Sequence, residues 1–263
     1  MTSISPETIT AQPYSEEKVT NKERNLPLDG VGLEALADLN KFYIHQFIEP
    51  LEVTNKIETR NRYRILDGYG NFVYDVLERS TDFEGGCYGS ARNFVLSIFD
   101  KQRTEVIRLA RERKTCIGCT CFVFGPDCGD EIAVDAPAGE VFGSVCQRWS
   151  ILRPYFEIMD VDGEMIASAK GPGCICQNTL CSSPVEFQIY SKDGSSKIGS
   201  ISKLYSGFAK ELYTKADDFE LNFIENTSLE VKILCICLVF LLDFMFFEDE
   251  TSSPDSNSLQ VGR

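Results

Sequence analysis

The chain has 263 residues and a formal net charge of −14. This charge disfavours binding to phosphate backbones, so we expect no nucleic-acid partner, and it opposes contact with anionic lipid unless another feature anchors the chain. His45 is the single histidine, which argues against catalysis that depends on imidazole. The polar N-terminus has no signal-peptide core, so we expect a reducing cytosol for the eleven cysteines.

Two different segments open the chain. Residues 1–31 are rich in Ser, Thr, Glu and Pro and contain too few apolar residues to offset the entropy of ordering, so a disordered tail is predicted. Residues 33–42 (LEALADLNKF) have apolar side chains at helical spacing. This spacing predicts a short helix.

The middle of the chain has the pattern of five hairpins. In each, apolar and polar residues alternate on both sides of a turn signal such as Asp-Gly or Pro-x-Gly. The segments are 63–77, 94–109, 131–149, 156–169 and 185–201. Hairpins at this spacing predict an antiparallel sandwich or barrel.

Residues 233–247 (ILCICLVFLLDFMFF) form the most apolar run of the chain. As a helix they span about 22 Å, whereas a bilayer core needs roughly 30 Å. Asp243 adds a cost of roughly 2.5–3.5 kcal/mol if it lies in lipid. A helix that is apolar on all sides can instead be surrounded by protein. The buried helix is therefore favoured, and a membrane span remains the alternative; in either case the residues of interest are Ile233, Phe240, Asp243 and Phe247.

A cysteine cluster follows the only basic stretch of note. The cluster is Cys116, Cys119, Cys121 and Cys128, and the basic residues are Arg108, Arg111, Arg113 and Lys114. Acyl chains together with basic residues would provide the two signals that stable membrane anchoring requires. Zinc is the less favoured alternative, because the cluster lacks a second CxxC pair. Buried, inert cysteines are the other alternative, and they are favoured over zinc.

Several strings together resemble the phospholipid scramblase family. They are IHQFIEPLEVTNKIETRNRY (44–63), the cysteine cluster, AKGPGCICQ (169–177), ISKLYSGFAKELYTKADDFELNF (201–223) and LVFLLDFMFFE (238–248). The resemblance covers residues 32–248 and leaves 249–263 as an acidic, Ser-rich tail predicted to be disordered. It implies a tubby-like fold, a twelve-stranded antiparallel closed barrel around a central hydrophobic C-terminal helix, here 231–247.

The resemblance also implies a function and a location. Members of the family move phospholipids between leaflets in both directions, in response to Ca²⁺ and without ATP. The palmitoylated positions correspond to Cys116, Cys119 and Cys121, and less closely to Cys128. The implied location is the cytoplasmic face of the plasma membrane.

The calcium-binding segment of the family corresponds to residues 215–226, KADDFELNFIEN. Its candidate ligands are the side chains of Asp217, Asp218 and Glu225 and the backbone carbonyls of Phe219 and Leu221. Lys215 and Asn226 stand where the family has acidic residues. Because Ca²⁺ takes six to eight oxygen ligands, we expect binding that is millimolar or weaker. An ordinary strand, FELNF, is the alternative.

Two functions from different classes remain after these observations. The first is a scramblase, and the second is an acyl-anchored membrane interaction or lipid-sensing module. A single 15-residue segment makes no groove for lipid, so the first would require self-association. An enzyme is disfavoured, and the absence of PxxP among the N-terminal prolines argues against an SH3 or WW partner.

Overall fold

A computed structural model describes residues 32–47, 61–79, 93–111, 129–150, 153–173, 185–204 and 218–247. These residues form twelve strands and one α-helix. The elements are β1 Lys41–Phe47, β2 Arg62–Asp67, β3 Phe72–Glu78, β4 Phe94–Phe99, β5 Glu105–Arg111, β6 Glu131–Asp135, β7 Val141–Arg148, β8 Tyr155–Asp160, β9 Met165–Lys170, β10 Glu186–Ser191, β11 Lys197–Leu204, β12 Asp218–Phe223 and α1 Leu229–Phe246.

The sheet is a closed antiparallel barrel. Each strand pairs with its neighbours in the chain, and β1 closes the barrel by pairing with both β12 and β2. Closure leaves no strand edge without a partner. The predicted mainly-β barrel with a C-terminal helix is confirmed.

The five predicted hairpins are confirmed, and three of them share one turn geometry. Asp67 and Asp160 end a strand and Asp100 follows one, and one carboxylate oxygen of each accepts N–H groups two and four residues further on, at 2.8–3.0 Å. Each hairpin also shifts register next to its turn, as a β-bulge does. Local side-chain bonds to the backbone therefore define these three turns.

The turn between β4 and β5 carries a strained residue. Arg103 has φ +66°, whereas the matching positions of the other turns are glycines, for example Gly163 with φ +76°. A side chain in this region costs roughly 1–2 kcal/mol, while glycine loses about 0.5–1 kcal/mol more backbone entropy on folding. We therefore expect Arg103→Gly to raise the free energy of unfolding by about 0.5–1 kcal/mol in urea denaturation. The matched control, Gly163→Ala, should lower it, and a destabilised Arg103→Gly would contradict the prediction.

Short and long connections lie at opposite ends of the barrel. The five hairpin connections have four or five residues, whereas the other six strand connections have six to nineteen. Since neighbouring strands are antiparallel, successive connections alternate between the two ends. We call the end with the short turns the hairpin end, and the opposite end the long-loop end.

Helix α1 runs through the barrel from the hairpin end to the long-loop end. It begins after Ser228, whose hydroxyl accepts the backbone N–H of Val231, and every residue from Val231 to Met245 is buried. Near the hairpin end, Lys232 Nζ donates to the backbone carbonyl of Ala37 at 2.7 Å. Near the long-loop end, the ring of Phe244 stacks on Phe94 with centroids 4.0 Å apart.

Small residues on the strands make room for the helix. A Cβ at Gly143 would clash with the carbonyl oxygen of Met159 and would lie 3.1 Å from the Leu234 side chain. Inward-facing Ala167 and Ala169 are also fully buried. The core of the protein is therefore the layer between the helix and the inner wall of the barrel, packed without space for a larger side chain at Gly143.

The sequence prediction for residues 33–42 was wrong in part. A single 3₁₀ turn, Glu34–Leu36, is present, and Lys41–Phe47 is a strand. The apolar residues Phe42 and Ile44 alternate with Tyr43 and His45, and only the first pair faces the core. Strand β1 forms because β12 and β2 supply partners on both sides, which local spacing does not reveal.

Candidate functional site

Four of the five strings that resemble the scramblase family include described residues at the long-loop end. Residues 44–63 contain the end of β1 and the start of β2, and residues 169–177 begin in the last two residues of β9. Residues 201–223 contain the end of β11 and the whole of β12, and residues 238–248 include the last part of α1. The cysteine cluster lies outside the described residues. The long-loop end is therefore the candidate functional site.

The inner wall of the barrel becomes polar at this end. The last inward-facing residues of β3, β5, β7 and β11 are buried and polar: Glu78, Arg111, Gln147 and Lys203. Glu78 Oε2 accepts the backbone N–H of Asn61 at 3.0 Å, and Gln147 Oε1 accepts that of Asp130 at 3.3 Å. We call these four residues the polar belt. Glu78 and Gln147 bond to the residues that precede β2 and β6, and Arg111 bonds to Asp130, which also precedes β6.

Sequence reasoning missed the polar belt. The strand pattern does indicate these residues, because in each strand a polar residue stands where the spacing of two predicts a buried, inward-facing side chain. In β3, Glu78 follows Tyr74 and Val76 at a spacing of two, and in β5, Arg111 follows Ile107 and Leu109 in the same way. A polar residue that faces inward near the end of a strand is expected to form hydrogen bonds with the residues at that end of the barrel.

Arg111 is part of this belt and is not an exposed cation. Its side chain is 1% exposed, and its guanidinium donates to Asp130 Oδ1 through Nε at 3.0 Å and Nη2 at 2.6 Å. Arg108, which faces outward, makes two bonds to Glu105, and this pairing lowers the pKa of Glu105. The predicted basic stretch is thus neutralised at both described positions. Arg113 and Lys114 lie outside the described residues.

The end of α1 meets the polar belt. The Tyr63 hydroxyl donates to Asp243 Oδ2 at 2.6 Å, and both side chains are buried. Lys203 Nζ lies 3.7 Å from the centroid of the Phe247 ring. Ile233, Phe240 and Phe247 are buried as well. Protein atoms, and not lipid, therefore surround the helix residues that the sequence singled out.

We expect the Tyr63–Asp243 hydrogen bond to be a measurable part of the stability. Tyr63→Phe removes the donor from a buried carboxyl group and should cost about 1.5–3 kcal/mol of unfolding free energy. Asp243→Leu and the double variant complete a double-mutant cycle, which can be measured by denaturant unfolding. The double variant should be destabilised by less than the sum of the single variants. Additive losses would show that this bond contributes nothing.

The described calcium-ligand candidates do not fit a single ion. Asp218 begins β12 and lies beside His45, with Oδ1 and Nδ1 2.7 Å apart, whereas Glu225 follows the other end of the strand. At about 3.3 Å per residue, β12 separates them by roughly 17 Å or more, while Ca²⁺ ligands lie about 2.3–2.6 Å from the ion. Asp217 lies outside the described residues.

The two backbone carbonyls proposed as calcium ligands, those of Phe219 and Leu221, belong to a strand that is paired on both sides. Phe219 pairs with Ile44 on one side and Lys203 on the other, and Leu221 likewise has partners in β1 and β11. In a strand with two neighbours the carbonyls are used by the ladder. Within the described ranges, no three His, Cys, Asp or Glu side chains form a group that could hold a metal ion. The strand that the sequence offered as the alternative, FELNF, is present as part of β12.

Cysteine chemistry at the described positions is unfavourable. Cys146, Cys235 and Cys237 are buried, and burial raises the pKa of each thiol. A protonated, buried thiol is a poor nucleophile and a poor acyl acceptor. Cys116, Cys119, Cys121 and Cys128, for which acylation is predicted, lie outside the described residues.

The helix content bears on the membrane question. Over the ranges that the structure describes, no helix combines the length and the apolar character that crossing a membrane requires.

Comparison with known proteins defines the class. The family profile described as Scramblase matches residues 20–249. Human phospholipid scramblase 1 is 37% identical over 227 residues, which cover 86% of this chain and 69% of the human protein. Bovine phospholipid scramblase 2 is 36% identical over 82% of this chain and 71% of its own length. Human phospholipid scramblase family member 5 is 34% identical over 82% of this chain and 77% of its own length.

The chain therefore belongs to the scramblase family, as its motifs predicted. It spans roughly two thirds to three quarters of the length of these curated relatives. No solved structure matches the chain.

Proposed function

We propose that this protein moves phospholipids between the two leaflets of a membrane, in both directions and without ATP. The observation that carries the proposal is the match to the scramblase family over residues 20–249, together with relatives named phospholipid scramblases. The barrel supports it because four of the five family strings include described residues at the long-loop end. A transport role needs no catalytic side chain.

Membrane attachment is part of the proposal. Acyl chains on Cys116, Cys119, Cys121 and Cys128 would anchor the long-loop end at the cytoplasmic face of the plasma membrane. Each buried CH₂ contributes about 0.8 kcal/mol, so two or more acyl chains suffice for stable binding. A single enclosed helix makes no groove for lipid. Self-association would bring several barrels to one patch of bilayer, where they could form such a groove together.

We expect only a weak response to calcium. The Lys215 and Asn226 replacements, and the distance between Asp218 and Glu225, both argue for binding in the millimolar range or weaker. Calorimetry on the full chain should detect no micromolar site, and the unfolding midpoint should not rise at 100 µM Ca²⁺. Saturable micromolar binding that Asp218→Asn abolishes would contradict this prediction.

A liposome assay tests the proposed function directly. The purified full chain is reconstituted into vesicles that carry a fluorescent phospholipid in both leaflets, and dithionite is added outside. Dithionite bleaches about half of the fluorescence in protein-free vesicles, because only the outer leaflet is accessible. Scrambling should allow nearly complete bleaching without ATP. Bleaching that stays at half in vesicles that contain the protein would overturn the proposal.

The enclosed helix favours a second candidate, an acyl-anchored interaction or lipid-sensing module. Every residue from Val231 to Met245 is buried inside the barrel, so these side chains offer no path for a headgroup. In the same assay this module would bind membranes and leave bleaching at half. Vesicle flotation run in parallel separates a bound but inactive protein from one that never reached the bilayer.

A further inference from the structure

The exposed charges of the barrel are divided unequally between its two ends. Carboxylates outnumber cations at the hairpin end. The exposed acidic residues there are Glu34, Asp38, Glu140, Asp162, Glu164, Asp193 and Glu225, and the exposed basic residues are Lys101, Arg103, Lys192 and Lys197. This end of the barrel therefore repels anionic surfaces.

The long-loop end has the opposite balance. Among its described residues the exposed cations are Arg62, Arg79, Arg153 and Lys170, and the exposed carboxylate is Glu131. The charge of Asp130 is matched by Arg111. The parts of the long connections outside the described residues contain nine acidic and seven basic residues. The described residues of a strongly acidic protein thus form a basic rim at this end.

Aromatic side chains interrupt this rim. Phe47, at the end of β1, is 46% exposed, and Trp149, just after β7, is 57% exposed. Arg153 and Lys170 lie on the same side of the barrel as Trp149, because β8 and β9 follow β7 in the sheet. Tyr69, which is 91% exposed, lies at the hairpin end, where exposed carboxylates outnumber exposed cations. At the long-loop end the exposed aromatic residues lie among exposed residues that are mostly cations. Tryptophan next to basic residues is typical of surfaces at the lipid headgroup level.

We propose that the long-loop end docks onto an anionic lipid bilayer, with Arg153 and Lys170 at the headgroups and Trp149 at the interface. The proposal deepens the proposed function, since it takes the membrane as the partner and assigns the face that meets it. Each cation near an anionic surface strengthens binding by about fivefold. The acidic hairpin end would then point away from the membrane. The acidic residues 248–250, which follow the helix, oppose this attraction.

The single tryptophan allows a direct test. The purified full chain is titrated with vesicles of phosphatidylcholine alone, or with 30% phosphatidylserine. Trp149 emission should shift to the blue and be quenched by brominated lipid only with phosphatidylserine, and 1 M NaCl should abolish both effects because it screens charge. Emission that stays constant while the protein floats with the vesicles would overturn the proposal.

Charge reversal at either end distinguishes orientation from net charge. Arg153→Glu with Lys170→Glu should weaken vesicle binding at least tenfold. Lys101→Glu with Lys192→Glu changes the net charge equally at the hairpin end and should weaken binding less than twofold. Equal losses in both would overturn the orientation. Thermal unfolding of each variant checks that the barrel is intact.

The scrambling assay on the same proteins separates the two proposals. Oriented binding without lipid movement would overturn the proposed function and leave the docking face standing. In the opposite case, the Arg153→Glu, Lys170→Glu variant would scramble lipid and bind vesicles as tightly as the unmodified chain. That result would overturn the docking face and leave the proposed function standing.

Discussion

Ending the chain at Ser228, before α1, should abolish cooperative folding of the barrel. The helix fills the barrel interior, and burying one large apolar side chain contributes roughly 1.5–3 kcal/mol. The buried apolar residues between Val231 and Met245 together contribute tens of kcal/mol. Domains of this kind are stable by only about 5–15 kcal/mol. Circular dichroism and thermal unfolding of the truncated chain should therefore show no cooperative transition.

This experiment also distinguishes a plug from an appended anchor. If α1 were an anchor outside a self-sufficient barrel, the truncated chain would fold and unfold cooperatively without it. A matched control ends the chain at Glu248 and removes only residues 249–263. We expect this control to unfold at the same temperature as the full chain, because the removed residues are polar and acidic.

The second large effect is expected at the buried ion pair. Asp130→Ala leaves the guanidinium of Arg111, which is 1% exposed, without the carboxylate that accepts its two bonds. Removing one partner of a buried pair costs about 3–5 kcal/mol. Denaturant unfolding should show a loss of this size, and the long-loop end should become more accessible to protease.

Two further variants test the physical cause. Arg111→Met with Asp130→Leu removes both charges and should recover most of the loss, because no buried charge remains. Lys197→Ala breaks an exposed pair with Glu186, in which both side chains are at least 40% exposed. It should change stability by less than about 1 kcal/mol. A large loss in the apolar double variant would mean that packing, and not charge, explains Asp130→Ala.

The strands could be predicted because their determinants are local. Alternation around Asp-Gly, Pro-x-Gly and the polar segment 100–103 places β2 to β11 in the correct hairpins. The aspartates of three turns bond to backbone N–H groups no more than four residues further on. Strand β1 could not be predicted in this way. Its partner β12 lies far along the chain, as the pairing of His45 with Asp218 shows.

The long apolar run was ambiguous for a different reason. Residues 233–247 are short for a membrane span and apolar on all sides, which is compatible with lipid and with a protein interior. In a membrane span, Asp243 would lie in lipid at a cost in free energy. Its bond to Tyr63, which is distant in sequence, places it inside the barrel. Only the closed sheet provides that environment.

The amino-acid sequence determined the class of this protein, the order of its hairpins and the family to which it belongs, since these depend on local patterns and motifs. Tertiary structure decided three other matters. It enclosed the helix, buried Arg111 in an ion pair and brought described residues of four family strings to one end. There are two physical reasons. The antiparallel order of the strands places alternate connections at opposite ends, and closure of the barrel by the pairing of β1 with β12 forms an apolar interior for the helix.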